Sequence, residues 1–477
     1  MAGSLRLTLD RRAATTLSEQ IRRGIIAAIE SGSLPPGTRL PSWRDLASQL
    51  GVARGTVRAA YDRLSDEQWV VSMRPGGTRV APSPARKPLG VARDHVSPSA
   101  VYQEIVSGPA TFQMGVPSSD SFPAALFGRI GAHAARTQAR APVVYPDPRG
   151  ELELRRRIAG HLAVARGIQC DAASIFVTAG FSGALGLTLS MLRATGAGAW
   201  MEDPGFFLTR NALNLARFQI APIPVDADGL DVDVGIARAS DAVLALVTPG
   251  QQAPTGATLS LERRMQLLDW ARRAGSWIVE DDYLGELQLQ KRAAPALASL
   301  DTNGRVIHIG SFSKTISPAL RLGFIVAPDR LIDQFNETVM SLAPAPAPAV
   351  QLTLAEFIRE GHYMRHLRRM KRLYAARGKA LQDALASRGY PSQIGGLAVL
   401  LPLPDSIDDE ALVREARAQG LAPGALSSWF SGREARQRGL LLGVATAPEQ
   451  DIPDACDRLD RLIRRHRDRT GQRPIVH

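Results

Sequence analysis

The chain is nearly without cysteine: Cys170 and Cys456 are its only two in 477 residues. They lie far apart and show no metal-type spacing. That scarcity excludes a disulfide framework and fits a reducing compartment. Long apolar runs are missing too. No stretch approaches the ~18 residues that a membrane-spanning helix needs. The opening residues, MAGSLRLTLDRRAATT, lack the apolar core of a secretory signal. These absences set the expectation of a cytoplasmic protein with no membrane partner and no bound metal. Lysine is absent from residues 1–81, which carry twelve arginines and seven acidic side chains. The whole chain has a formal net charge of +12. A basic balance favours polyanionic partners without naming one. Charge alone does not locate the contact either, because a second basic run, Arg365 to Arg372, lies far down the chain.

Length implies more than one core. Residues 10–81 form a compact block. Residues 82–110, rich in Pro, Ser and Ala, read as a linker stiffened by its prolines. From 111 to 477, apolar runs alternate with helical patterns. The clearest strands are 174–180, 241–249, 276–282, 305–311 and 321–327. This alternation predicts an α/β domain with a largely parallel sheet. Beyond about 362 comes a long basic helix, then a smaller mixed α/β subdomain, about 365–477.

In the first block, Thr16 followed by Glu19 predicts a capping box. Leu17, Ile21, Ile25 and Ile29 repeat on one helix face. Ser42 caps a second helix, WRDLASQL, which Gly51 ends. A third runs from about Arg54 to Glu67, with Val57, Tyr61 and Leu64 facing inward. Arg54, Thr56 and Arg58 remain outward near its start, where a recognition helix presents side chains to a major groove. WVVSM and TRVAP then flank a hairpin tip, Arg74-Pro75-Gly76-Gly77. A helical bundle with a solvated basic surface would also satisfy these patterns.

In the second block, Ser311-Phe312-Ser313-Lys314 stands at a strand end, followed by Arg321. A buried lysine beside hydroxyls and an arginine suits a Schiff base with an aldehyde cofactor that carries a phosphate. Taken alone, the motif also fits a solvated loop. Glu280-Asp281-Asp282-Tyr283 ends another strand, where a carboxylate can pair with a protonated ring nitrogen. Glu202-Asp203-Pro204-Gly205-Phe206 offers an aromatic for stacking. Thr178 to Gly183 opens a helix, whose free N–H groups favour phosphate.

The run from Leu40 to Val80 resembles the winged helix-turn-helix of the GntR family. That resemblance implies operator-DNA contacts at Arg44, Arg54, Thr56 and Arg58, with the wing at Arg74, Gly76 and Gly77. Ala53 stands where the family usually has a hydroxyl residue. Residues 112–470 resemble fold-type I aminotransferases, on Tyr145 to Gly150, TPGQQAPTG (248–256), EDDY (280–283) and SFSKTISPALRLG (311–323). This second resemblance implies a mainly parallel seven-stranded-type sheet and pyridoxal phosphate as cofactor. Lys314 would hold it as a Schiff base, Asp281 would pair with its ring nitrogen and Tyr283 with its ring hydroxyl, and Phe206 would stack on it. The Phe181 amide, Ser182, Ser311, Ser313 and Arg321 would surround the phosphate, and Tyr145 would reach the partner subunit's phosphate in a homodimer. The fusion of both halves resembles the MocR subfamily of GntR regulators.

Three departures bear on chemistry. Ala253 replaces the Asn expected before the Pro-Thr-Gly segment. Ser182 and Gly183 replace other expected side chains. Leu441, in GLLLGVA, stands where aminotransferases keep the arginine that binds the substrate carboxylate. A bidentate pair of that kind is worth ~2–3 kcal/mol, so its loss predicts poor transamination. Arg210 and the arginines of 365–369 are weak substitutes. The expectation is a DNA-binding regulator that senses an amine or amino-acid effector, or pyridoxal phosphate itself, and is not a productive enzyme. A working aminotransferase with an accessory DNA-binding domain, and a dimerising scaffold without cofactor, are the alternatives.

Overall fold

The computed structural model describes residues 7–11, 13, 15–73, 77–82, 110–289, 294–432 and 437–469. The chain divides into two compact units, Met1–Tyr102 and Gln103–His477. Arg74, Gly76 and nearly all of the expected linker lie outside the described residues.

The first unit holds helices α1 (Leu17–Glu30), α2 (Trp43–Leu50) and α3 (Arg54–Asp66), then strands β1 (Val70–Met73) and β2 (Gly77–Val80). Ile21, Ile25, Leu46, Val57, Leu64, Val70 and Val80 close its core. The strands pair antiparallel, with Val70 opposite Val80. Only half of the expected capping box forms. Thr16 Oγ1 accepts from the Glu19 amide at 3.4 Å. The Glu19 carboxylate does not return to the cap, because Arg22 and Arg23 take it at 2.7 and 2.8 Å. Those two guanidiniums hold its pKa down to about 2. Ser42 Oγ caps α2 through the Asp45 amide at 3.1 Å. Tyr61 ties α3 to the segment before α2 by donating to Pro41 O at 2.9 Å.

The second unit is built on an eight-stranded sheet in the order β3-β10-β9-β8-β7-β4-β5-β6, one more than the expected seven because a two-residue edge strand folds back on β5. Its strands are β3 (Ile175–Thr178), β4 (Gly198–Asp203), β5 (Gln219–Asp226), β6 (Gly229–Leu230), β7 (Leu244–Val247), β8 (Trp277–Asp282), β9 (Val306–Ser311) and β10 (Gly323–Val326). The run β9-β8-β7-β4-β5 is parallel throughout. β10 runs against both of its neighbours, and two-residue β6 runs against β5. Both faces are covered, which is why these strands read as unbroken apolar runs. Alternate residues enter different cores: Met201, Leu246, Val279 and Ile307 on one face, Trp200, Ala245, Ile278 and Val306 on the other. Trp200 stacks on Trp270 of the helix Leu261–Ala274, with ring centroids 3.9 Å apart.

A four-stranded sheet, β11 (Gln393–Gly395), β12 (Ala398–Pro402), β14 (Gly439–Gly443) and β13 (Gly424–Ala425), forms the smaller part. It packs with the 25-residue helix His362–Ala386 around Tyr374, Leu440 and Leu442. Among the described residues, no helix is long and apolar enough to cross a membrane.

Helix α3 starts at Ala53, whose backbone is extended as an N-cap requires but whose side chain makes no capping bond. Ala53→Ser is expected to stabilise the N-terminal unit by ~1 kcal/mol. The check is its midpoint in denaturant unfolding, and an unchanged midpoint would refute the cap argument.

Candidate cofactor site and DNA-reading face

Parallel strands bring their carboxyl ends to one edge of a sheet, and side chains from several connections converge there. β3 ends at Thr178 and leads into the helix Gly180–Leu192. β4 ends at Asp203 and leads to Phe206. Asp281 lies near the end of β8, and Lys314 follows β9 by three residues. β10 runs the other way, so Arg321, just before it, reaches the same edge.

Strand alternation separates the three consecutive carboxylates. Glu280 accepts from the Leu297 and Ala298 amides and meets His308 Nδ1 at 2.9 Å. Asp282 meets Arg166 Nε at 2.7 Å. Asp281, between them, points the opposite way. It is buried, and its Oδ1 has no hydrogen-bond partner. Burial, then the charges of Asp282 and Glu202, push its pKa well above the usual carboxylate range. Burial also moves the Tyr283 phenol upward.

The Lys314 side chain keeps some exposure, and its ammonium donates to Gly115 O at 2.5 Å. Loss of hydration there brings its pKa down to about 8, against a smaller upward pull from Asp281. Gly115 has φ +79°, and a Cβ on it would stand 3.2 Å from Lys314 Nζ. At the other end of the cleft, Arg321 Nη2 donates to Ala179 O at 3.0 Å. Its guanidinium lies against Gly180, at the start of the helix that carries Phe181 and exposed Ser182. Ser311 Oγ accepts from the Ser313 amide at 3.2 Å. The Phe206 ring stands 6.4 Å from that of Phe181 and 5.8 Å from that of Trp429.

Leu441 is fully buried. Its neighbours Leu440 and Leu442 join the core of the smaller part, and Leu441 faces the other way. It lies near Met114, the residue before Gly115: one point at Gly424 is 3.3 Å from Met114 Sδ and 3.5 Å from Leu441 Cβ. Arg210 spends donors on Trp429 O at 2.7 Å and Phe430 O at 3.4 Å. Arg365 turns to His362 and Glu360 O. Tyr145 is fully exposed, in a run with Val143 and Val144.

In the first unit, Arg44, Arg54 and Arg58 are exposed and Thr56 is half-buried. The Arg44 guanidinium stacks over Trp43 at 4.8 Å, and Arg58 lies 3.9 Å from Asp62. Gly77 begins β2.

Two family models match the chain: bacterial regulatory proteins of the gntR family over residues 17–80, and aminotransferase class I and II over 129–430. Similar curated proteins cover nearly the full length. The probable rhizopine catabolism regulatory protein MocR of Rhizobium meliloti is 35% identical, over 92% of each chain. The transcriptional regulator TauR of Rhodobacter capsulatus is 31% identical, over 94% of this chain and 97% of its own. The chain belongs to the MocR-like GntR-family transcription regulators. The pyridoxine biosynthesis regulator PdxR of Corynebacterium glutamicum is 32% identical, over 92% and 93%. Among solved structures, the α-aminoadipate aminotransferase LysN of Thermus thermophilus covers 78% of this chain and 96% of its own, with a TM-score of 0.70 at 24% identity. At that identity the likeness shows the fold.

This MocR-like regulator therefore joins a winged helix to a fold-type I domain, the pyridoxal phosphate-binding architecture. The residues present fit that cofactor. A buried carboxylate oxygen without a partner suits a ring N–H, and a lysine lowered toward neutrality suits an aldehyde. A helix start beside an arginine suits a phosphate.

Several neighbours of the site escaped sequence reading. Gly115 lies in a stretch without periodicity. Glu202 was read only as the prelude to Phe206. It is buried, accepts from the Thr248 amide and hydroxyl at 2.9 and 2.6 Å, and is pushed up to about 7 by burial. Gln252 stitches the loop around Ala253, donating to Pro204 O and Ala253 O at 2.7 Å each. Trp429 had no motif around it.

Only a neutral amine attacks an aldehyde. The apoprotein is therefore expected to capture pyridoxal phosphate at a rate that rises with pH through a midpoint at about 8. Stopped-flow absorbance measures this. A midpoint at the ordinary lysine value of about 10.4 would show that burial does not act on Lys314.

Proposed function

We propose that this regulator senses an amine through pyridoxal phosphate held at Lys314, and that occupancy changes how its winged helices engage operator DNA. The observation that carries the reading is the combination of two features. The Lys314, Asp281, Tyr283 and Arg321 constellation is complete, while buried Leu441, beside Met114, takes the place of a carboxylate-binding arginine.

When bound, the cofactor supplies an aldehyde that combines reversibly with amines. The protein's part would be to position it. Asp281 would accept from the ring N–H, and Tyr283 would donate to the ring hydroxyl. Phe206 would cover one ring face. Ser182, Ser311, Ser313, the Phe181 amide and Arg321 would hold the phosphate. Lys314 would supply the amine that anchors the aldehyde. An effector's acid group, if it has one, is held away from Leu441. Pyridoxal phosphate itself is a second candidate effector, and the printed name of PdxR, a regulator of pyridoxine biosynthesis, supports including it in the test.

The working form is a homodimer in the cytoplasm. The exposed run Val143-Val144-Tyr145 supports the dimer, because an apolar tripeptide left in water is a natural subunit contact. Arg44, Arg54, Thr56 and Arg58 contact the operator, together with Arg74, Gly76 and Gly77. A productive aminotransferase is disfavoured by Leu441 and by the engagement of Arg210 with backbone carbonyls.

The purified full-length protein is expected to be yellow, and Lys314→Ala to be colourless. Titration with a panel of amines and amino acids should shift the absorbance for some of them, and those ligands should change DNA affinity. A ligand shifts such an equilibrium only through different affinities for the two arrangements. DNA binding that ignores pyridoxal phosphate and every amine would end the sensing proposal. Steady keto-acid production from the same panel would establish the enzyme reading instead.

A further inference from the structure

The wing carries a charge arrangement that the recognition helix does not explain. Residues 37–40 run alongside β2 and meet it in one isolated antiparallel bridge. Leu40 N donates to Thr78 O and Val80 N to Thr38 O, both at 2.9 Å. These bonds flank Arg39 and Arg79, which oppose each other across an antiparallel bridge. They form a non-hydrogen-bonded pair, the position where facing side chains stand closest. Like charges placed there destabilise a sheet.

Gly77 shares this face, two residues before Arg79. The Arg39 guanidinium lies over it: a Cβ at 77 would meet Nε at 3.1 Å and Nη2 at 3.3 Å. Gly77 also has φ +79°, a conformation that favours glycine. Arg79 Nη1 donates to Gly37 O at 2.9 Å, which fixes its direction. Arg39 is exposed, and its side chain has no hydrogen bond or ion pair among the described residues. Residues 31–44 and 68–82 hold four arginines and no aspartate or glutamate. Neither stretch supplies a counter-ion.

We propose that Arg39 and Arg79 form a phosphate clamp at the base of the wing, gripping the DNA backbone beside the recognition helix. The clamp rests on reading this unit as the DNA-binding head. An arginine fork matches a phosphate, and such contacts set position without reading sequence. The repulsion between the two guanidiniums is relieved when a phosphate lies between them.

The test is the salt dependence of full-length protein binding to a short mixed-sequence duplex. Arg39→Gln is expected to reduce the slope of log K against log salt by about 0.9, with an affinity loss of about eightfold at 0.1 M. Arg39→Lys should keep the wild-type slope. A partly unfolded sample lowers apparent affinity but leaves the slope unchanged, so the slope decides. Without DNA, Arg39→Gln should melt at or above the wild-type temperature. A wild-type slope in Arg39→Gln overturns the clamp, whatever its melting temperature. Arg58→Gln separates the two readings. If it weakens binding while Arg39→Gln keeps the wild-type slope, the clamp alone fails. If Arg39→Gln loses slope and Arg58→Gln binds normally, the recognition-helix assignment fails and the clamp stands. A wild-type protein that binds no duplex removes both.

Discussion

Strands β4, β7, β8 and β9 run parallel, so their carboxyl ends share one edge, and the chemistry of the large unit depends on that edge. Phe206, Asp281 and Lys314 are distant in sequence and come together only because the sheet aligns them. The same geometry creates an electrostatic problem. Asp281 is buried with Glu202 near it and Asp282 next to it, and its Oδ1 has no donor among the described residues. A cofactor with a ring N–H resolves that problem. The site is thus organised around a missing donor, and the shifted lysine opposite belongs to the same low-dielectric pocket.

Neighbouring charges are handled differently. Asp282 is neutralised by Arg166, and Glu280 by two amides and His308. These pairings lie on the other face of β8, and they leave Asp281 as the carboxylate offered to the cleft. Leu441, on β14, is likewise buried, beside Met114.

The sequence carried much of this. The helix faces at Ile21, Ile25 and Ile29 and the strands around Asp281 and Lys314 follow from periodicity, because burial on one or both faces writes itself into the spacing of apolar residues. Motif order pointed to Lys314, Asp281, Tyr283 and Arg321. The capping box was half wrong, because Glu19 had a stronger choice in Arg22 and Arg23, and no local pattern registers that competition. Gly115 and Trp429 were illegible because each contributes from an irregular segment whose partner lies far along the chain. Arg39 carries no sequence signal of its own; only the antiparallel bridge to β2 sets it opposite Arg79.

By itself, then, the sequence determined the two-part architecture, the helix caps at Thr16 and Ser42, and the residue types of a phosphate-bearing aldehyde site. Those depend on local periodicity and on short motifs. Only the tertiary structure decided which of three adjacent carboxylates faces the cleft, that Lys314 meets Gly115, and that Leu441 stands on the Met114 side. Each of these depends on strand register or on contacts between distant segments. The physical reason is the period of a strand: a one-residue step reverses the side a residue faces, and that side is fixed by pairing across the sheet.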